Sequence, residues 1–282
     1  MVVFLNGKFL AEAEAVVPLS DRGILLGDGL FETVRVANRR PFRLAQHLER
    51  LVRGADFLKI PLPCLPREIQ QFTLQLIAEN DLPEAILRVT LTRGSGARGY
   101  SIKNAGPPTL AMVLHPLPPQ AAAEEPLQWS LVTSSFRIPS ADALSSFKTT
   151  SKISHIMARA EAEEKGADEA LLLNTNGEVA ETAGGNIFWV FHDKICTVPT
   201  GRGVLPGITR AVVLELCQSL GLPTNKCVVK PEQLRRAEGI FVSQSTLGIV
   251  PVAAFDGHPV APSPLVDQLA SAYHTALLHE TM

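Results

Sequence analysis

Two lysines, Lys148 and Lys152, stand in the run SSFKTTSKISHIMARAEAEEKG among hydroxyl side chains. A lysine between Phe147 and a run of hydroxyls could be partly desolvated, and desolvation or a neighbouring cation favours the neutral amine that forms imines and shuttles protons. The local pattern does not choose between the two, and an isolated lysine at a helix start is usually a solvated ammonium.

An acid lies where an apolar side chain would serve the fold. In NTNGEVAETAGGNIFWVF, Val179 and Glu181 share one face of a strand, and Glu181 is followed by Thr182, Ala183, Gly184 and Gly185. The small residues leave room for a flat ring, and a carboxylate against a pyridine nitrogen would keep that nitrogen protonated. Read alone, the segment is equally an exposed strand acid beside a glycine turn.

Three features could hold an anion. Pro206-Gly207 leads into a helix, so the backbone NH groups of Ile208 and Thr209 and the Thr209 hydroxyl could face a phosphate, with Gly207 admitting close approach. The loop SQSTLGIVPV places Ser243, Ser245 and Thr246 between two apolar runs. Arg50, with His47 and Gly54 near it, flanks the apolar stripe Leu44, Leu48, Leu51, Ala55 and Leu58. Each has an ordinary reading as helix start, polar loop or snorkelling arginine.

The elements that must position these residues fall into two groups. Up to about Leu114, β runs such as Met1–Leu5 and Ile86–Thr92 alternate with helical patterns at His47–Leu58 and Glu68–Asn80. The Pro- and Ala-rich HPLPPQAAAEEP lacks periodicity, so a linker at residues 116–128 separates a domain at 1–115 from one at 129–282. Beyond it, strands are expected at Trp129–Thr133, Ala170–Leu173, Ile187–Phe191, Gly239–Val242 and Ile249–Phe255. Helices follow near Ile153–Lys165, with a face of Ile153, Ile156, Met157 and Ala160, and near Ile208–Leu220. Asn176-Gly177 reads as a tight hairpin turn, Gly166 as a helix C-cap and Ser263-Pro264 as a helix start.

Composition narrows the class. The 282 residues are 46% hydrophobic and 19% charged with a formal net charge of -2, which offers nothing to nucleic acid or anionic membrane. No window carries the roughly 18 apolar residues of a membrane span, and MVVFLNGKFLAEAEAVV has no basic leader, so a cytoplasmic protein is expected. Cys64, Cys196, Cys217 and Cys227 lack a CxxC pair or histidines at ligand spacing, which reads as no metal site and no disulfide framework.

Taken in order, DRGILLGDGLFETVRV, HLERL, TRGSGARGY, FKTTSKISHIMARAEA, EVAETAGGNIFWV, LPGITR and GIFVSQSTLGIVPV closely resemble the class IV aminotransferases over nearly the whole chain. These are the fold-type IV pyridoxal phosphate enzymes. The resemblance implies an α+β, two-domain fold: a small N-terminal α/β domain and a larger α/β-barrel-like C-terminal domain that binds pyridoxal 5′-phosphate. It also implies a homodimer whose partner subunit helps close the site. It places the Schiff-base lysine at Lys148, the acid that pairs with the pyridine nitrogen at Glu181 and a phosphate-pairing arginine at Arg50. Gly207, Ile208, Thr209 and Ser245 match the remaining phosphate cup.

The resemblance also bears on the reaction. TRGSGARGYS is similar to a segment of the 4-amino-4-deoxychorismate lyases, whereas D-amino-acid aminotransferases place Arg and His there; here Arg98 is present and Tyr100 replaces the His. Phe31 stands where D-amino-acid aminotransferases resemble GDGIYE. The expectation is a lyase that releases pyruvate and 4-aminobenzoate, with Phe31, Thr33, Arg98 and Tyr100 at a small amino substrate. The alternative is an aminotransferase acting on D-amino acids, branched-chain L-amino acids or amines.

Overall fold

The computed structural model describes residues 1–121 and 127–282, so residues 122–126 of the expected linker at 116–128 lie outside the described residues. The chain forms two compact units. The first comprises Met1–Leu117, Phe147–Ser151 and Leu277–Met282; the second comprises Pro118–Ser146 and Lys152–Ala276. Sequence patterning runs the second domain unbroken from 129 to 282, yet the lysine segment and the C-terminal turn of the chain belong with the first unit.

The first unit contains β1 (Val2–Leu5), β2 (Lys8–Ala11), α1 (Arg22–Leu26), β3 (Gly29–Ala37), β4 (Arg40–Pro41), α2 (Leu44–Leu58), α3 (Pro66–Asn80), β5 (Ala85–Thr92) and β6 (Thr109–Pro116). Its strands make one antiparallel sheet in the order β2-β1-β6-β5-β3-β4. Strand alternation sends Leu30, Val34 and Val36 of β3 and Leu87, Val89 and Leu91 of β5 into a core shared with Leu48, Leu51 and Ala55 of α2 and Ile69, Leu76 and Ile77 of α3. Phe31, Thr33, Arg88 and Thr90 are paired on the other face.

Phe147–Ser151 is held to this sheet by the chemistry of its neighbours. Thr150 N donates to Gly29 O and Phe31 N to Lys148 O, both at 2.9 Å, so the segment pairs with the start of β3. Phe147 stacks on Phe57 with ring centroids 4.5 Å apart, and Thr150 Oγ1 donates to Gly27 O at 2.7 Å. An aromatic side chain and satisfied backbone groups outweigh sequence distance here.

The second unit contains β7 (Trp129–Ile138), α4 (Ile153–Glu164), β8 (Glu169–Asn174), β9 (Val179–Thr182), β10 (Asn186–Phe191), β11 (Lys194–Thr197), α5 (Ile208–Ser219), β12 (Thr224–Lys226), α6 (Pro231–Leu234), β13 (Gly239–Gln244), β14 (Gly248–Phe255) and β15 (His258–Pro259). A last helix, α7, spans Pro264–Thr281. The sheet runs β12-β11-β10-β13-β14-β7-β8-β9, with β15 on β14, and mixes parallel and antiparallel pairs. β9 ends this path yet leads into β10 through Ala183–Gly185 alone, so the sheet curls on itself as a half-barrel. Val179, Ala180, Ile187, Trp189, Val242 and Val250 fill its core.

Local expectations fare unevenly. Gly166 ends α4 with φ of 70°, and Pro264 opens α7. The Asn176-Gly177 turn is built by Asn174, whose Oδ1 accepts from Asn176 N and Glu178 N, with only Gly177 at positive φ. The expected apolar face of α4 is corrected. Ile153, Ile156 and Met157 are exposed at 70%, 58% and 44%, and Ala158 and Ala162 are the residues packed inward. The small alanines let the helix lie close on β7 and β8, which turns its larger side chains outward.

Candidate active site

In the first unit the side chains converge around β3. Lys148 Nζ lies 4.6 Å from the centroid of the Phe31 ring, and the Arg88 guanidinium carbon lies 3.3 Å from the same centroid. Thr33 stands opposite Arg88 in the β3–β5 register. Burial pulls Arg88 down to about 10, with the charge of Glu32 acting the other way. Among the described residues Arg88 forms no hydrogen bond or ion pair. It is a half-buried cation on an aromatic face beside the lysine.

On the opposite face of β3, Glu32 occupies a core position. Arg50 donates through Nε to Glu32 Oε1 at 2.8 Å and through Nη2 to Oε2 at 2.6 Å, while His47 Nδ1 lies 2.7 Å from Oε2. Burial pushes the Glu32 carboxyl up, but Arg50 and then His47 more than offset it and hold it at about 2. Burial also pushes His47 down, with the Arg50 and Lys148 cations adding to the effect. The neutral imidazole therefore gives its Nδ1–H to the carboxylate. Sequence pattern places Arg50, His47 and Gly54 on a flanking face of α2; in the structure all three are buried. Glu32 escapes the sequence reading, although FET interrupts the apolar alternation of β3 with a carboxylate.

In the second unit Glu181 is 7% exposed on β9, so it is no surface acid. Its Oε2 accepts from Leu205 N at 3.0 Å and its Oε1 lies 3.2 Å from His155 Nε2. The carbonyl of Leu205 in turn accepts from Asn186 Nδ2 at 2.9 Å. Leu205 thereby ties the acid to the loop that enters α5.

That loop leaves the start of α5 without a side-chain cap. Gly207 is the N-cap of α5 and supplies no side-chain cap, so the first-turn NH groups of Ile208 and Thr209 are left to other partners. A Cβ at Gly207 would collide with Asn186 Oδ1, so glycine is required by close approach and not by positive φ. Thr209 is buried, and Ser243 of β13 carries a buried hydroxyl with no hydrogen-bond partner among the described residues. Ser245 is half-buried in the turn after β13. Gly185, expected to leave room for a ring, is also required by β13: a Cβ there would lie 2.6 Å from Ser243 O.

Arg98 and Tyr100 stand in an exposed loop. Tyr100 is 88% exposed, and its loop is held by its backbone, with Arg22 Nη1 donating to Gly99 O and Ser101 O. Arg22 is itself paired with Asp28, which Arg93 also holds. Lys152 is the N-cap residue of α4 and belongs to the second unit, whereas Lys148 belongs to the first.

The model of class IV amino-transferases matches residues 29–255, and the chain belongs to that family. It is a pyridoxal-phosphate-dependent enzyme of fold type IV. A protein of Methanocaldococcus jannaschii named as a branched-chain-amino-acid aminotransferase is 33% identical over 92% of this chain and 90% of its own. The aminodeoxychorismate lyase of Bacillus subtilis is 28% identical over 89% and 85%. The branched-chain aminotransferase of the thermophilic archaeon Thermoproteus uzoniensis, solved with norvaline, superposes with a TM-score of 0.92 at 26% identity, covering 99% of this chain and 95% of its own.

Proposed function

We propose that this enzyme transfers an amino group from a carboxylate-bearing amino donor to a 2-oxo acid. The observation that carries the reading is Arg88: a half-buried guanidinium without an acidic partner among the described residues, on the same ring as Lys148 Nζ, suits a substrate carboxylate.

The residues fit pyridoxal 5′-phosphate. Glu181 suits the ring nitrogen, and the NH groups of Ile208 and Thr209 suit the phosphate, with Gly207 and Ser245 beside them and the unpaired Ser243 hydroxyl as a further donor. Lys148 would hold the aldehyde through Nζ. When bound, the cofactor supplies an electron sink that makes the substrate carbon next to nitrogen acidic.

The chain's own groups do the rest. Lys148 Nζ, as a neutral amine, would take the proton from that carbon and hold it for return to the substrate. Glu32 neutralises charge around Arg50, leaving Arg88 and Lys148 as the cations at Phe31. Arg50, expected at the phosphate, gives Nε and Nη2 to Glu32, which also fixes α2 against β3 beside the lysine.

A homodimer is part of this reading. The exposed Ile24, Leu25 and Leu26 of α1 and the outward Ile153, Ile156 and Met157 of α4 offer apolar surface suited to a second copy. Arg98 and Tyr100, exposed in their own chain, would then serve the partner's substrate.

The similarity of TRGSGARGYS to the deoxychorismate lyases favours a second reading, loss of pyruvate without an acceptor. One panel separates the two. Amino donors with 2-oxoglutarate should give glutamate, and aminodeoxychorismate alone should give no 4-aminobenzoate. Release of 4-aminobenzoate and pyruvate without a keto acid, with no glutamate from any donor, would establish the lyase instead.

A further inference from the structure

We infer that His155 is a positioning residue for Glu181, which rests on the reading that Glu181 faces the cofactor's ring nitrogen. His155 stands in the first turn of α4, and its Nε2 lies 3.2 Å from Glu181 Oε1. The other carboxylate oxygen is fixed by Leu205 N at 3.0 Å. With one donor on each oxygen, the carboxylate plane has a single orientation, and its remaining lone pairs are aimed before any ring arrives.

The contact is not needed to dock the helix. α4 is seated by Ala158 and Ala162, both fully buried, while the residues flanking His155, Ser154 and Ile156, are exposed. Glu181 is 7% exposed and the His155 side chain 18%, so water competes weakly for the bond between them. A carboxylate acceptor makes the bond charge-assisted whichever charge the imidazole carries. His155 donates Nε2–H, and losing it would free one oxygen of Glu181 to swing on its remaining anchor at Leu205.

The same hydrogen-bond chain runs on to the start of α5. Glu181 holds Leu205 N, Asn186 holds Leu205 O, and Leu205 leads through Pro206 to the N-terminus of α5. A Glu181 tethered by His155 therefore keeps the ring-nitrogen partner in register with the phosphate partner. This predicts an effect on cofactor affinity as well as on turnover.

The test uses the full chain stripped of cofactor and titrated with pyridoxal 5′-phosphate, read by absorbance and by equilibrium dialysis. His155→Leu should weaken binding about 10-fold and shift the bound cofactor's absorbance, while His155→Gln, which keeps an N–H donor, should stay within about 2-fold of the parent. In a Glu181→Gln background, His155→Leu should add nothing further. Equal affinity and spectrum in His155→Leu and the parent would overturn the inference, as would equal weakening by Leu and Gln. Circular dichroism checks folding, and His155→Ala replaces the Leu variant if that one does not fold. If Glu181→Gln alone leaves binding and spectrum unchanged, the reading of Glu181 itself fails, whatever His155 does.

Discussion

Arg50 grips Glu32 with two parallel donors at 2.8 and 2.6 Å, burying an ion pair between α2 and the core face of β3. Taking one partner from such a pair leaves a buried charge without compensation, at a cost of about 3–5 kcal/mol. Arg50→Met should therefore lower the urea midpoint strongly, whereas Arg50→Met with Glu32→Leu should recover much of the loss. Equal stability of Arg50→Met and the parent would rule out the pair as a structural element.

The same cluster sets an acid response. Burial depresses His47, so below pH 6.5 the unfolded chain takes up a proton that the folded one refuses, and stability declines as pH falls. Glu32 is ionised down to about 2 when folded against 4.5 ordinarily, so its contribution is present above 4.5 and is lost between 4.5 and about 2. Melting curves from pH 8 to 3 should show both declines, and Glu32→Gln should flatten the lower one. A melting temperature that rises from pH 6 to pH 4 would contradict this assignment.

Arg88→Ala should raise KM for a carboxylate-bearing donor about 10- to 100-fold while leaving the bound cofactor's absorbance unchanged. The loss should be small for amines that lack a carboxylate. Steady-state kinetics with matched acid and amine donors measures this, and parallel losses on both would show that Arg88 serves the fold and not the substrate.

Gly207→Ala places a methyl group on Asn186 Oδ1, which should cost about 1–3 kcal/mol of stability and weaken cofactor retention together. Asn186→Ala should give back part of the packing cost in the double variant while losing the bond to Leu205 O. Thermal melts of the four proteins with and without pyridoxal 5′-phosphate check the coupling. Strict additivity would show that the two residues do not meet.

Charging the outward apolar residues tests the second copy. Ile153→Glu with Ile156→Glu removes surface without touching either core, since both side chains are exposed. Sedimentation should give a dimer for the parent and dissociation for the variant; an unchanged dimer would place the interface elsewhere.

The sequence exposes much of this arrangement and conceals a definite part. The stripe of α2, the run of β5 and the start of α5 are legible because apolar period and glycine placement act locally. Lys148 is not separable from Lys152 by pattern, because what distinguishes it is pairing of its segment with β3, more than a hundred residues earlier. Glu32 and His155 escape notice for the same reason. Each acquires meaning from a partner on another element, Arg50 for one and Glu181 for the other. The α4 face reads wrongly because a helix seated on alanines inverts the usual rule that its largest apolar residues point inward.

The central claim rests on one amine. The purified enzyme should be yellow, with an absorbance band that borohydride abolishes, and Lys148→Ala should lack that band while Lys152→Ala keeps it. A band that survives in Lys148→Ala, or disappears in Lys152→Ala alone, would contradict the account.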